Sequence, residues 1–285
     1  MNNLTDEIKR LLTTKYDESS PRGLKVREWL HQSITINPKF ALSVFKRRPF
    51  NFKYFSGELL WYLCGDFKVD FITQFSNFWS ALVDENGEIN SNYGAVILND
   101  QFVFAYNQLI KDKNTRQSLI VINEKKHQKE TKDFPCTLNL LFYIRNNKLN
   151  MRVHMRSQDI FYGLQYDAPW YSVIHQNMWL LLKDTYPDLE LGDYIHQMDN
   201  VHYYERHFEL AENINKETES SWFSMELLKP IITIESGKVV VNEEMRNEYL
   251  RFNTAMVDWK FGGWREWLSN LGYFKIEKHE NSRKN

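Results

Sequence analysis

The chain has 285 residues, of which 42% are hydrophobic and 15% aromatic, enough to bury one substantial core. Its 36 basic and 37 acidic residues leave a formal net charge of −1, which excludes the basic footprint of a nucleic-acid binder and leaves small anions as partners. Cys64 and Cys136 fit neither a metal nor a redox pattern, no hydrophobic run approaches a bilayer span, and the start carries no signal pattern. The expectation is a soluble cytoplasmic protein with free thiols and no metal.

In chain order, Ile8, Leu11 and Leu12 recur at helical spacing and predict a short helix over residues 6–16, capped by Thr5 or Asp6. Residues 19–23 read as a turn containing Arg22, and residues 26–36 as helix or strand. After Arg47, Arg48 and Pro49, the spacing of Phe55, Leu59, Leu60 and Leu63 predicts a helix with Glu58 among apolar neighbours. A carboxylate is costly to bury unless it is protonated, hydrogen-bonded or put to use. Residues 100–111 read as a helix, residues 118–122 as a buried strand, and residues 124–132 as a solvated excursion.

Residues 133–171 hold the densest chemistry. Two apolar runs, 137–144 and 149–155, predict strands around the polar turn 145–148. They place the Cys136 thiol at one end and Arg156, Ser157, Gln158 and Asp159 at the other, with Gly163 and Asp167 following. Taken singly, Cys136 reads as a buried thiol, Asp167 as an Asx-turn carboxylate and Arg22 as a solvated loop charge. Farther on, a helix is predicted over 171–186 with a structural His175, a strand over 194–198, and a hairpin from 231–234 and 239–241. Trp259, Trp264 and Trp267 occupy residues 252–271, and the tail 275–285 reads as polar and frayed.

Several of these residues carry a resemblance. Pro135-Cys136, Arg156-Ser157-Gln158-Asp159, Gly163-Leu164 and the segment before Asp167 resemble the nucleophile strand and nucleotide segment of thymidylate synthases. The run from Glu58 to Asp66, then Phe78-Trp79 and the segment ending in Tyr93-Gly94, extend it, as do His202 and Tyr204. Asp167 stands where thymidylate synthases carry an Asn, a departure that resembles the pyrimidine hydroxymethylases of the same superfamily. Leu82 stands where the synthases carry a second tryptophan, a smaller side chain that leaves room for water. The likeness covers residues 20–210 and fades after 211. Gln117 replaces the second of two family arginines, and the family's apolar C-terminal segment has no counterpart.

The resemblance implies an α+β fold in a single domain over 1–285, with a mixed sheet, surrounding helices and an insertion at 124–132. Sheets of two subunits would pack back to back, with Arg116 reaching the phosphate site of the partner. It implies Cys136 as the nucleophile adding to carbon 6 of a pyrimidine. Glu58 would manage a water and a ring proton, and Tyr93 and Asp159 would assist. Arg22, Arg116, Arg156, Ser157 and Gln158 would hold the nucleotide, and His202 and Tyr204 its sugar. Arg48, Trp79, Leu82 and Gly163 would face 5,10-methylenetetrahydrofolate, and Asp167 would select cytosine. The expected activity is hydroxymethylation of a cytidylate, deoxy or ribo; the alternatives are a methyltransferase of thymidylate synthase type and a silent nucleotide-binding relative. A neighbouring arginine is expected to lower the pKa of Cys136.

Overall fold

The computed structural model describes residues 2–254 and 263–281; Trp259 lies outside them. Helix α1 (Leu4–Thr13) buries Leu4, Ile8, Leu11 and Leu12 along one stripe. Its cap is Asn3 rather than Thr5 or Asp6: the Asn3 side chain accepts from the Asp6 N–H, while Thr5 is buried and donates to the Ser221 carbonyl. The ambiguous residues 26–36 are a strand. With β1 (Asp17–Ser19) and β2 (Val26–Ile36) the main sheet begins, and β3 (Leu42–Val44) opens a second, smaller sheet.

Helix α2 (Phe52–Cys64) is capped by Asn51 and ended by Gly65 in the left-handed region at φ 64°. It is apolar almost all round, and residues 55–63 are buried without a break, as befits a helix inside a core rather than on its surface. Short helices α3 (Asp70–Thr73) and α4 (Tyr93–Ile97) pack against it. The α4 contact is close: a Cβ on Gly94 would fall 1.7 Å from the Tyr62 carbonyl oxygen, so only glycine admits this approach. Helix α5 (Asp100–Lys111) has the predicted bounds.

The central strands are β4 (Leu119–Val121), β5 (Thr137–Arg145), β6 (Lys148–Met155), β7 (Gln158–Asp159) and β8 (Glu190–Tyr204). The main sheet runs β1-β2-β8-β6-β5-β4, with β7 also paired to β8. The pairs β6–β8 and β7–β8 are parallel and the others antiparallel, which makes the sheet mixed. The turn between β5 and β6 takes Asn146 and Asn147 into positive φ, as a two-residue hairpin requires. Between residues 124 and 132 most side chains are exposed, but His127 turns inward and accepts from the Glu124 N–H.

Helix α6 (Gln165–Leu182) covers one face of this sheet and is buried on nearly every side. It starts six residues earlier than its periodicity suggests, because Asp159 caps a π-helical turn, Ile160–Leu164, that runs directly into it. Asp167 is therefore in the first turn of a core helix, not in a loop. His175 is structural: its Nε2 meets the Leu149 carbonyl at 2.8 Å. The predicted strand over 194–198 is the middle of a longer strand, held on both sides by β2 and β6.

Beyond these come α7 (Phe208–Asn215), β9 (Ser220–Leu227), the hairpin β10 (Ile232–Glu235) and β11 (Lys238–Val241), α8 (Glu243–Thr254), α9 (Trp264–Asn270) and β12 (Phe274–Asn281). The tail is not frayed over residues 274–281: it pairs antiparallel with β9 along its whole length, in the sheet β12-β9-β3. Its composition is polar because one side faces water, while backbone pairing supplies the order. No helix among the described residues is long and apolar enough to cross a membrane.

Candidate active site

The site lies at the end of the main sheet, where β5 begins and β6 ends, and draws further side chains from α2 and α6. Cys136 immediately precedes β5 and is half-buried. Its N–H donates to the Tyr93 hydroxyl at 3.2 Å, and its carbonyl accepts the Arg156 N–H at 2.9 Å. The Arg156 guanidinium, just past β6, donates to the carbonyls of Pro135 and Phe134 at 3.0 and 2.7 Å and lies 3.7 Å from the Cys136 sulfur. The predicted hairpin thus sets the thiol and the cation side by side.

The thiol does not titrate as expected. Burial pushes Cys136 up to about 11, and the opposing pull of Arg156, with a smaller one from Arg22, does not cancel it. Desolvation outweighs a single guanidinium whose hydrogen bonds are largely spent on carbonyls. The resting form is the thiol.

Glu58 is buried in the middle of α2 with its Oε1 accepting from the Tyr54 hydroxyl at 2.6 Å and, more weakly, from Tyr62 at 3.4 Å. These tyrosines stand one helical turn before and after it. Trp79 is itself buried and donates its Nε1–H to the Tyr54 oxygen at 3.2 Å, so an indole orients the phenol that orients the carboxyl. Burial, with the charge of Asp167 nearby, raises Glu58 to about 8, against the hydrogen bonds that lower it. Leu82 ends the 3-10 turn that carries Trp79 and packs half-buried on the core.

Asp167 accepts from the Gln158 amide at 2.8 Å and is raised by burial to about 7, with the charge of Asp159 adding to the rise. Its charge reaches Glu58, Cys136 and Tyr93. Asp159 accepts the N–H groups of Phe161 and Tyr162 at 2.7 and 2.5 Å through one oxygen, while the other is buried without a partner; burial raises it to about 6. Three carboxyl groups therefore hold protons far above their ordinary range, as acid–base sites require.

The remaining expected residues spread around this centre. Arg22 sits in its turn at φ 53°, close enough to depress His202, which burial holds at about 4. His202 faces Asn200 at 2.9 Å and Tyr204 edge-on at 5.3 Å. Ser157 is half-buried beside Arg156. Arg48 spends its guanidinium on the Gln165 side chain at 2.6 Å and the Phe161 carbonyl, so it braces the π-helical turn, whereas Arg47 is exposed. Gly163 lies against the Gln158–Asp167 pair, and a Cβ there would come within 2.3 Å of Gln158 Nε2. Arg116 and Gln117 are exposed at the far edge, beside Leu119 and Phe104.

Sequence reasoning passed over Tyr54, Tyr62, Asp133 and the pair Tyr194 and His196. The tyrosines were findable, standing four residues on either side of Glu58. Asp133 was not: its carboxyl binds the Asn90 and Ser91 N–H groups at 2.7 Å each and the Ser91 hydroxyl at 2.6 Å, tying the segment before α4 to the approach of Cys136. No local pattern encodes a partner forty residues away.

Fold and site define an α+β protein in which a thiol beside a guanidinium and three proton-holding carboxyls lie at one end of the main sheet. Residues 2–248 match the thymidylate synthase family, and the chain belongs to it. Among its relatives are the deoxycytidylate 5-hydroxymethyltransferases of Enterobacteria phages T4 and T6, each 26% identical over 203 residues, or 67% of this chain and 80% of the relative.

Proposed function

We propose that the protein is a cytidylate hydroxymethylase, transferring a one-carbon unit to carbon 5 of deoxycytidylate or cytidylate and adding water to it. The observation that carries this reading is Asp167, a buried carboxyl with a pKa of about 7 that accepts from Gln158 and whose charge reaches both Glu58 and Cys136. A carboxyl accepts from the exocyclic amine of cytosine and, when protonated, also donates to its ring N3; the ionised form meets the carbonyl of uracil with like polarity. The phage relatives carry the same substrate in their names.

In this mechanism the Cys136 thiol gives its proton to water and the sulfur adds to carbon 6, which makes carbon 5 nucleophilic. Arg156, beside the sulfur, favours the thiolate and holds the phosphate with Ser157 and Arg22. Methylenetetrahydrofolate supplies the one-carbon unit. The exposed, roughly parallel rings of Phe78 and Tyr162, 6.4 Å apart at the rim near Trp79, suit a flat aromatic cosubstrate. Once carbon 5 has taken the methylene, Glu58 in its ionised form, with Tyr54 holding one oxygen, receives the carbon 5 proton as tetrahydrofolate leaves. A water positioned by Glu58 then adds to the exocyclic methylene, and the carbon 6–sulfur bond breaks to release Cys136. Leu82 leaves space for that water.

The other face of the main sheet supports a homodimer. Leu141, Tyr143, Arg152, His154 and Ile195 lie on it half-buried, and Asn139 Oδ1 and Arg152 Nε are sealed from water without a partner. A second sheet packed on this face would cover these half-exposed side chains. Sedimentation as a monomer at working concentration refutes this.

The test of function is a screen for tritium release from carbon 5 with cytidylate and uridylate in ribo and deoxy forms, with mass analysis of the product. Release from a cytidylate and a hydroxymethyl product support the reading. A methyl product with dihydrofolate moves the protein to the methyltransferases, and no release from any substrate refutes catalysis of this type.

A further inference from the structure

Beneath the covered face of the main sheet, a line of buried polar groups ends on Asp167. Tyr194 and His196, two residues apart on β8, point to the same side of the strand. The Tyr194 hydroxyl lies 2.6 Å from His196 Nδ1, His196 Nε2 lies 2.8 Å from Gln158 Oε1, and Gln158 Nε2 lies 2.8 Å from Asp167 Oδ2. Tyr194, His196 and Gln158 are all buried.

The direction of this line is set at Gln158. One end of its amide faces both Asp167 Oδ2 and, at 3.4 Å, the Asp159 carbonyl oxygen. A backbone carbonyl can only accept, so that end is the NH2 and the opposite end is the oxygen. The oxygen needs a donor, which puts the single ring proton of His196 on Nε2 and leaves Nδ1 to accept from Tyr194. Burial lowers His196 to about 3, so the ring is neutral and carries one proton only. Gly163 leaves room for the arrangement: a Cβ would sit 2.3 Å from Gln158 Nε2 and 3.1 Å from Asp167 Oδ2.

We propose that Tyr194, His196 and Gln158 are positioning residues that fix the hydrogen-bond polarity of Asp167 and thereby its choice of pyrimidine edge. The inference rests on the reading that Asp167 faces the base. With Oδ2 committed as an acceptor, any proton on the carboxyl resides on Oδ1. The base then meets an acceptor beside a donor, the complement of the amine and N3 of cytosine and the reverse of what uracil needs. Without the His196 donor, the Gln158 amide is free to rotate and offer its oxygen to Asp167. The carboxyl proton would then be drawn to Oδ2, and the match to cytosine N3 lost.

The test uses the full chain. Nitrogen NMR of the wild type reads the His196 tautomer directly, and calorimetric binding of deoxycytidylate and deoxyuridylate is compared across wild type, His196→Phe and Tyr194→Phe. The expected results are an Nε2–H tautomer, a loss of about tenfold in cytidylate preference for His196→Phe, and about threefold for Tyr194→Phe. An Nδ1–H tautomer overturns the proposal, as does an unchanged preference in the variants or an equal weakening for both nucleotides. If His196→Phe does not fold, Tyr194→Phe and the wild-type spectrum decide. A wild type that binds nucleotides without preferring cytidylate refutes the role of Asp167 in base choice, a separate failure from a wild-type preference that survives the variants.

Discussion

Replacing Glu58 with glutamine separates what this residue does for the fold from what it does for the reaction. The carboxyl has a pKa of about 8 in the folded chain against an ordinary 4.5. Between those values the folded protein keeps a proton that the unfolded chain has released, so stability falls as pH rises through that window. Each unit of pH within it costs about 1.4 kcal/mol, hence about 3 kcal/mol between pH 4.5 and about pH 7. Glutamine keeps an oxygen for Tyr54 and has nothing to ionise. Glu58→Gln is therefore expected to gain about 3 kcal/mol on the wild type between these two pH values, read by urea unfolding at each. The same variant should lose about a hundredfold or more in tritium release, the usual contribution of a positioned acid–base group. A stability difference that is equal at both pH values refutes the reasoning, since it would mean that Glu58 is already ionised in the fold.

Other expectations follow from the same geometry. Asp167→Asn should move base preference from cytidylate towards uridylate by about 10- to 100-fold, corresponding to one or two mispaired polar groups; competition between the two nucleotides measures it, and an unchanged ratio refutes the role given to Asp167. Because the resting Cys136 thiol sits at about 11, its alkylation in the ligand-free protein should rise about tenfold per pH unit through neutrality, followed by mass spectrometry of its peptide to keep it apart from Cys64. A flat profile around neutrality would show a thiolate already formed. Gly94→Ala drives a Cβ into the Tyr62 carbonyl oxygen and should cost about 3 kcal/mol or more by separating α4 from α2; an unchanged melting temperature would refute that close contact.

Much of the site was legible because it is written in short spacings. The hairpin from 137 to 155 has a period of two and an asparagine turn, and that alone sets Cys136 beside Arg156. The Glu58 helix shows its period, but periodicity alone reads Glu58 as exposed, and the resemblance is what points to the buried acid. Misjudged elements depend on order that their own periodicity does not show. The start of α6 depends on the Asp159 cap and on Arg48 bracing the turn from another element, and polar β12 is a strand because β9 lies beside it. The arginine beside Cys136 is visible in sequence, but the balance between its charge and the loss of water is not.

By itself, then, the sequence determined the residue types at the centre, the thiol and cation on one hairpin, the acid inside an apolar helix and the aspartate that replaces an asparagine. The hairpin follows from local periodicity, which needs no knowledge of distant neighbours, while the parts given to Glu58 and Asp167 follow from the resemblance to the family. Only the tertiary structure decided their protonation and polarity. Desolvation depends on every element that closes the cleft, and the line from Tyr194 through His196 and Gln158 to Asp167 exists only because β7 and β8 lie side by side under α6.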